Sequence, residues 1–259
     1  MKAVASALAL VLMSFAISGQ ASPRIVTLTP HATELVFAAG AGHQIVATVS
    51  SSNYPVAAKD IERIGDGVNT SIEQVLAWSP DWVIGWPSPL MTQLETLGIQ
   101  TWVSNPQSLE SIGTEVLDMA QRLGDPDAAA AWHADYTARL MQLGPKAQTE
   151  MRVVLFASSD GQFVIGRHDL INETLGRCGA TNPFAASAAS APLVSAESLI
   201  AVEADVMISG RPMDNIATLP QAIPLYVVDA DKLYRPGPRF LDAALEICAL
   251  LAKAKRQTK

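Results

Sequence analysis

Short β-branched runs and capped helical stretches take turns along this chain, and that alternation leaves few folds open to it. Residues 24–28, 45–49, 81–86 and 100–103 read as buried strands. Between them, Thr29 is placed as an N-cap with Pro30 at the first helical position, and that helix runs to about Gly40. Ser71 caps a second helix that ends near Pro80, with Gln74 completing a capping box, and a third runs from Ser108 to Leu123. Asp125-Pro126 then opens a long helical stretch carrying Trp132, Tyr136, Leu140 and Leu143 on one stripe, stopped by Gly144-Pro145. The pattern resumes with strands at 152–157, 163–165, 205–209 and 225–228, a helix through Leu175, and a final amphipathic helix bearing Leu241, Leu245 and Cys248. Strands that alternate with helices pair in parallel. The expected architecture is therefore α/β: two Rossmann-like lobes, residues 22–124 and 148–259, joined by a single long helix at 125–147.

The halves echo each other in sequence. Ser71-Ile72-Glu73 with Ala77 and Asp81-Trp82-Val83-Ile84 lies over Ser195-Ala196-Glu197 with Ala201 and Asp205-Val206-Met207-Ile208 at a constant offset. Each copy is a capped helix, a tight turn and a buried strand, which points to two related lobes.

Residues 1–21 read as a signal peptide. Lys2 is followed by an apolar run from Ala3 to Ile17, too short for a comfortable membrane span, and then by small residues ending at Ala21. No cysteine follows that run, so no lipid anchor is expected. Net charge is −7, which argues against nucleic acid or anionic lipid as a partner. The basic cluster Lys253, Lys255, Arg256 and Lys259 closes the last helix, where cations favour the macrodipole. In an exported chain the two cysteines, Cys178 and Cys248, are expected to pair; a thiolate metal site would need further ligands at zinc-like spacing, and none lie near.

Ligands of open parallel sheets sit beyond the C-terminal ends of the strands. That rule selects Trp86, which ends its strand before Pro87-Ser88-Pro89, a sequence expected to stop regular structure. It also selects Tyr54 after the second strand, Phe163 after the Ser158–Gly161 loop, and the segment Asp231, Lys232, Leu233, Tyr234 and Arg235 after the last strand. Together they would form an aromatic-walled cleft with a few polar contacts. The other four tryptophans fall on helices or strands and are expected in the core. His31, at the mouth of the first helix, could face the cleft, with a solvated or capping role as the plainer reading. The four histidines show no paired spacing, and no Walker loop, nucleophile elbow or H-E-x-x-H motif is present, so neither a metal site nor an enzyme is read here. Glu73 and Glu197 lie in the first turns of equivalent helices. Acids are favoured there in any case, but one exposed carboxylate per lobe would also suit two equivalent basic pockets on a pseudo-symmetric partner.

On Pro23–Pro30 with Thr33-Glu34-Leu35, Asn53-Tyr54-Pro55, Ile64-Gly65-Asp66, Pro80-Asp81, Cys178-Gly179, Val194–Glu197 and Arg235–Arg239, the chain resembles the periplasmic solute-binding proteins of cobalamin and iron-chelate ABC importers, most of all the cobalamin branch. The resemblance implies a class III binding-protein fold with small closure and a monomeric carrier without a cofactor of its own. It implies that Trp86, Phe163, Asp66, Gly67 and the Asp231–Arg235 loop surround a corrinoid. It further implies that Glu73 and Glu197 dock onto arginines of a permease coupled to a cytoplasmic ATPase, and that Cys178–Cys248 is the family's disulfide. Ser51, Gly67 and Ala191 stand where the cobalamin pattern often has aromatic rings. That departure keeps haem or a ferric siderophore as alternative ligands, with Tyr54 as a candidate iron ligand. An exported enzyme and a purely sensory protein are the readings from other classes.

Overall fold

The computed structural model describes residues 22–144, 151–214 and 223–257. The leader expected at 1–21, the stop at Pro145 and Lys259 lie outside them. The first sheet contains β1 (Ile25–Thr27), β2 (Ile45–Val49), β3 (Arg63–Gly65), β4 (Trp82–Gly85) and β5 (Gln100–Val103), in the order β3-β2-β1-β4-β5. The second contains β6 (Met151–Phe156), β7 (Ala180–Thr181), β8 (Val206–Ser209) and β9 (Leu225–Val227), in the order β7-β6-β8-β9. Every pairing within both sheets is parallel. In each sheet the chain steps outward one way from its first strand and then the other, so each has a switch point, between β1 and β4 and between β6 and β8.

The helices follow their signals. Thr29 caps α1 (Pro30–Ala38), its side chain accepting from the Ala32 N–H. Ser71 and Gln74 form a capping box on α2 (Ile72–Leu76), and Ser108 caps α4 (Leu109–Leu123). Three expectations need correcting. Pro87-Ser88-Pro89 does not stop regular structure: Ser88 caps α3 (Pro89–Thr96), with Pro89 at its first turn, where a missing N–H costs nothing. Residues 163–165 form no strand, only isolated antiparallel bridges from Phe163 to Leu193 and from Val164 to Phe156. The connecting rod is shorter than 125–147. Its helix α5 (Pro126–Leu140) ends in a 3-10 turn at Met141–Leu143 and packs along α4, where the Tyr136 hydroxyl donates to Leu109 O at 2.8 Å.

In the second lobe α6 (Asp169–Arg177), α7 (Ala196–Ala201), α8 (Ala230–Leu233) and α9 (Phe240–Gln257) complete the fold. Cys178 at the end of α6 is bonded to Cys248 on α9. One apolar cluster runs from Leu35 and Ile84 through Leu109 and Tyr136 to Leu155, Phe240 and Ile247, so the two lobes share a core.

The repeat read in the sequence holds at the level of atoms. Asp81 accepts from Arg24 N at 2.7 Å, and Asp205 accepts from Arg152 N at 2.6 Å. The Arg24 guanidinium reaches Trp78 O at 2.7 Å, and that of Arg152 reaches Val202 O at 3.0 Å. Ser79 (φ 46°) and Glu203 (φ 47°) turn the chain between helix and strand in the same left-handed conformation. Both Ser71 and Ser195 close capping boxes.

Candidate ligand-binding cleft

Trp86 follows β4 at the first sheet's switch point and is 42% exposed. Its ring meets that of His31 edge-on at 4.7 Å between centroids. His31 is neither solvated nor a cap: it is buried, with Nε2 3.2 Å from Ser104 Oγ. Burial pushes its pKa down from 6.5 to about 4, against a hydrogen bond at the Ser104 backbone, so the ring is neutral at ordinary pH. Behind it Glu115 takes the Trp102 Nε1–H at 2.9 Å; its own pKa is raised by burial, against hydrogen bonds from Ser104 and Trp102. A polar layer, buried at His31 and Ser104 and half-buried at Glu115, thus backs the ring of Trp86.

Facing Trp86 is a cavity of about 380 Å³, which takes in Asn105 and Gln107 from the first lobe and Arg167, His168 and Tyr234 from the second. Tyr234 also borders a cavity of about 400 Å³ at the second switch point, lined by Ser158, Ser159, Ser209 and Arg211. Its hydroxyl donates to Phe156 O at 2.6 Å and accepts from Gly210 N at 3.0 Å, tying the ring to the tips of β6 and β8. Gly210 permits that approach, since a Cβ there would lie 2.3 Å from the ring. His168 caps α6, Nδ1 accepting from Ile171 N at 3.5 Å, and burial lowers its pKa.

The remaining expected residues are spread around this centre. Phe163 is 40% exposed beyond the tip of β6, paired with Leu193, and is not among the residues that line the Trp86 cavity. Tyr54 lines a separate groove of about 280 Å³ together with Trp132 and Asp135, and its ring lies 4.2 Å from the Arg239 guanidinium. Asp66 spends its carboxylate on the Val68 and Asn69 N–H groups, each at 2.8 Å; the Asn69 bonds, first the backbone and then the side chain, do most to lower its pKa. Gly67 sits at φ +85°, where a Cβ would fall 2.5 Å from Leu28 O, so no aromatic ring can stand there without moving the backbone. Leu233 is fully buried in the core, so its side chain belongs to packing and not to the cleft wall. Asp231 and Arg235 face the first lobe. Arg235 donates to Asn53 Oδ1 at 2.8 Å and to Ser51 O at 3.1 Å and pairs with Asp231 at 2.7 Å, while Asn53 donates to Asp231 at 2.7 Å. Lys232 is half-buried on α8.

Asn105, Gln107, Arg167, His168 and Arg211 escaped the sequence reading. Asn105, Gln107 and Arg211 lie within four residues of the ends of β5 and β8, so the strand-tip rule that found Trp86 finds them once it is applied to every strand. Arg167 and His168 are reached only through the bridges at Phe163 and Val164.

Glu73 and Glu197 are exposed, one per lobe. The Ser71 side chain and its own backbone N–H lower the Glu73 pKa; its own backbone N–H and then Ser195 do the same for Glu197. Among the described residues no group of three His, Cys, Asp or Glu could hold a metal ion, and no helix is long and apolar enough to cross a membrane.

The pattern of the periplasmic binding protein family matches residues 25–223. The vitamin B12-binding protein of Yersinia pseudotuberculosis serotype O:1b (strain IP 31758) is 30% identical, over 95% of this chain and 92% of the relative. The crystal structure of the periplasmic vitamin B12 binding protein BtuF of Vibrio cholerae superposes with a TM-score of 0.82 at 28% identity, covering 90% of this chain and 98% of that one. The periplasmic heme-binding protein RhuT from Roseiflexus sp. RS-1 superposes with a TM-score of 0.74 at 25% identity, covering 90% and 99%. With two parallel-sheet lobes, cavities at both switch points and a match across most of its length, this chain belongs to the periplasmic binding protein family.

Proposed function

We propose that this protein is the carrier of an ABC importer: exported by its leader, it binds a cobalamin-type corrinoid between lobes 22–124 and 148–259 and hands it to a membrane permease. The observation that carries the reading is the Trp86 cavity, walled by both lobes, with a second, polar cavity on the other side of Tyr234, which lines both. A flat macrocycle can lie against the indole while its polar rim meets Asn105, Gln107, Arg167 and Arg211. The full-length likeness to proteins named for vitamin B12 supports the same ligand.

Haem is the second reading, favoured by the missing ring at Gly67 and by the likeness to RhuT. The side chains weigh against it. Tyr54 lies under Arg239 in another groove, and the Tyr234 hydroxyl is engaged on both sides. A cobalamin brings its own axial ligands and needs neither. Calorimetry with cyanocobalamin should show tight one-to-one binding; heat with haemin or a ferric siderophore and none with any corrinoid would replace the reading.

Glu73 and Glu197 are the proposed handles for the permease. They are exposed, ionised and equivalent in the repeat, so they suit a partner with two matching basic pockets.

A further inference from the structure

We propose that Glu34 is a positioning residue that sets the opening of the cleft, by drawing Arg235 and Arg239 of the second lobe onto the first. Glu34 lies on α1 with its side chain 1% exposed. Both of its oxygens are used. Arg239 forks onto them with Nε at 3.0 Å and Nη2 at 2.6 Å, and Arg235 Nη1 lies 3.5 Å from Oε1. A carboxylate buried this deeply is tolerable only where cations and hydrogen bonds replace its water, and the best-attested use of such a group is to select one arrangement among several. Here the anion belongs to the first lobe and both cations to the second. The pairing therefore acts across the boundary between the lobes.

The cluster also governs what borders the cleft. Arg235 continues from Glu34 to Asn53 and to the Ser51 carbonyl, so the loop after β2 and the segment after β9 are fastened together through one guanidinium. Both Nη nitrogens of Arg235 are engaged in this way, which assigns it to bridging the lobes rather than to meeting a ligand. Removing the Glu34 charge would leave two guanidiniums with no anion across the boundary. The charge attraction across the gap would be lost, while the hydrogen bonds of Arg235 to Asn53 and Ser51 and the shared apolar core stayed in place.

The test reads the distance between lobes and needs no ligand, so it stands apart from the corrinoid reading. Spin labels on Gln93 of α3 and Ala201 of α7, both exposed, report the separation by pulsed electron resonance. Glu34→Gln should lengthen the mean distance and broaden its distribution. The double variant Glu34→Gln, Arg239→Gln leaves one fewer unpaired cation and should fall between wild type and the single variant, so it also serves if the single variant does not fold. Where wild type binds cyanocobalamin, Glu34→Gln should weaken it about tenfold, chiefly by faster dissociation. An unchanged distance distribution in a folded variant, even with a lowered melting temperature, would overturn the proposal, because packing alone would then account for Glu34. If wild type takes no corrinoid, the ligand assignment fails and the distance result still decides this one.

Discussion

Trp86 stands edge-on to His31, and His31 is held in turn by Ser104, so an exposed aromatic of the cleft rests on a buried polar group. Because the indole is already 42% exposed, Trp86→Ala should change the melting temperature little. Loss of a central aromatic anchor typically costs about 2 kcal/mol of binding, or roughly thirty-fold in affinity. Calorimetry with cyanocobalamin checks this, and an unaltered affinity would remove Trp86 from the site. His31 also makes stability depend on pH. Its folded pKa of about 4 lies below the ordinary 6.5, so the unfolded chain takes up the proton first. The stability it contributes is complete above pH 6.5 and drains away as the pH falls towards 4, on the order of 3 kcal/mol in all. His168 is lowered by the same cause and works in the same direction. Urea melts at pH 7 and 4.5 should show the loss, and His31→Gln should flatten it; an identical slope in the variant would mean His31 plays no part. The sequence disclosed Trp86, since a tryptophan between a β-branched run and Pro-Ser-Pro has little other business. It placed His31 at the mouth of the first helix, able to face the cleft, but not its burial, which depends on Ser104 and Trp86, far away along the chain.

Elements with strong local chemistry were legible, and those made by their neighbours were not. The Thr29, Ser71 and Ser108 caps and the strands at 45–49 and 100–103 follow directly from residue type and spacing. β3 and β7 are only three and two residues long, and their pairing with β2 and β6 makes them strands. α3 was hidden by its prolines, which mark a start as readily as a stop. The disulfide pins α6 to α9 and closes 70 residues of chain. In the chain-entropy picture a loop of that size contributes about 4 kcal/mol. Calorimetric melts with and without reductant should therefore differ by roughly 10 °C for a chain of this length, and coincident melts would mean that the helices hold α6 and α9 together without the bond. Ser195→Ala removes one capping box and should cost about 1 kcal/mol, read as a denaturant midpoint shift with no change in ligand affinity.

Taken whole, the molecule is two parallel-sheet lobes, of five and four strands among the described residues, fused through a common core and sharing one repeated helix–turn–strand unit, and that repeat was legible in the sequence. How the lobes face each other was not legible, because it rests on Glu34, Arg235 and Arg239, whose partners lie in the opposite half. The residues at strand tips were found only where an aromatic drew attention to them. Glu73→Ala with Glu197→Ala should leave cyanocobalamin binding intact and depress its uptake by cells that carry the variant in place of the native protein; undiminished uptake would end the docking assignment. Ser79 and Glu203, each bent into the same left-handed turn ahead of its strand, make the outer shoulders of the lobes near duplicates. A partner whose own two sides match would then meet the same turn on each lobe, and the unequal sheets and cleft contents behind those turns would tell it which way round its cargo had arrived.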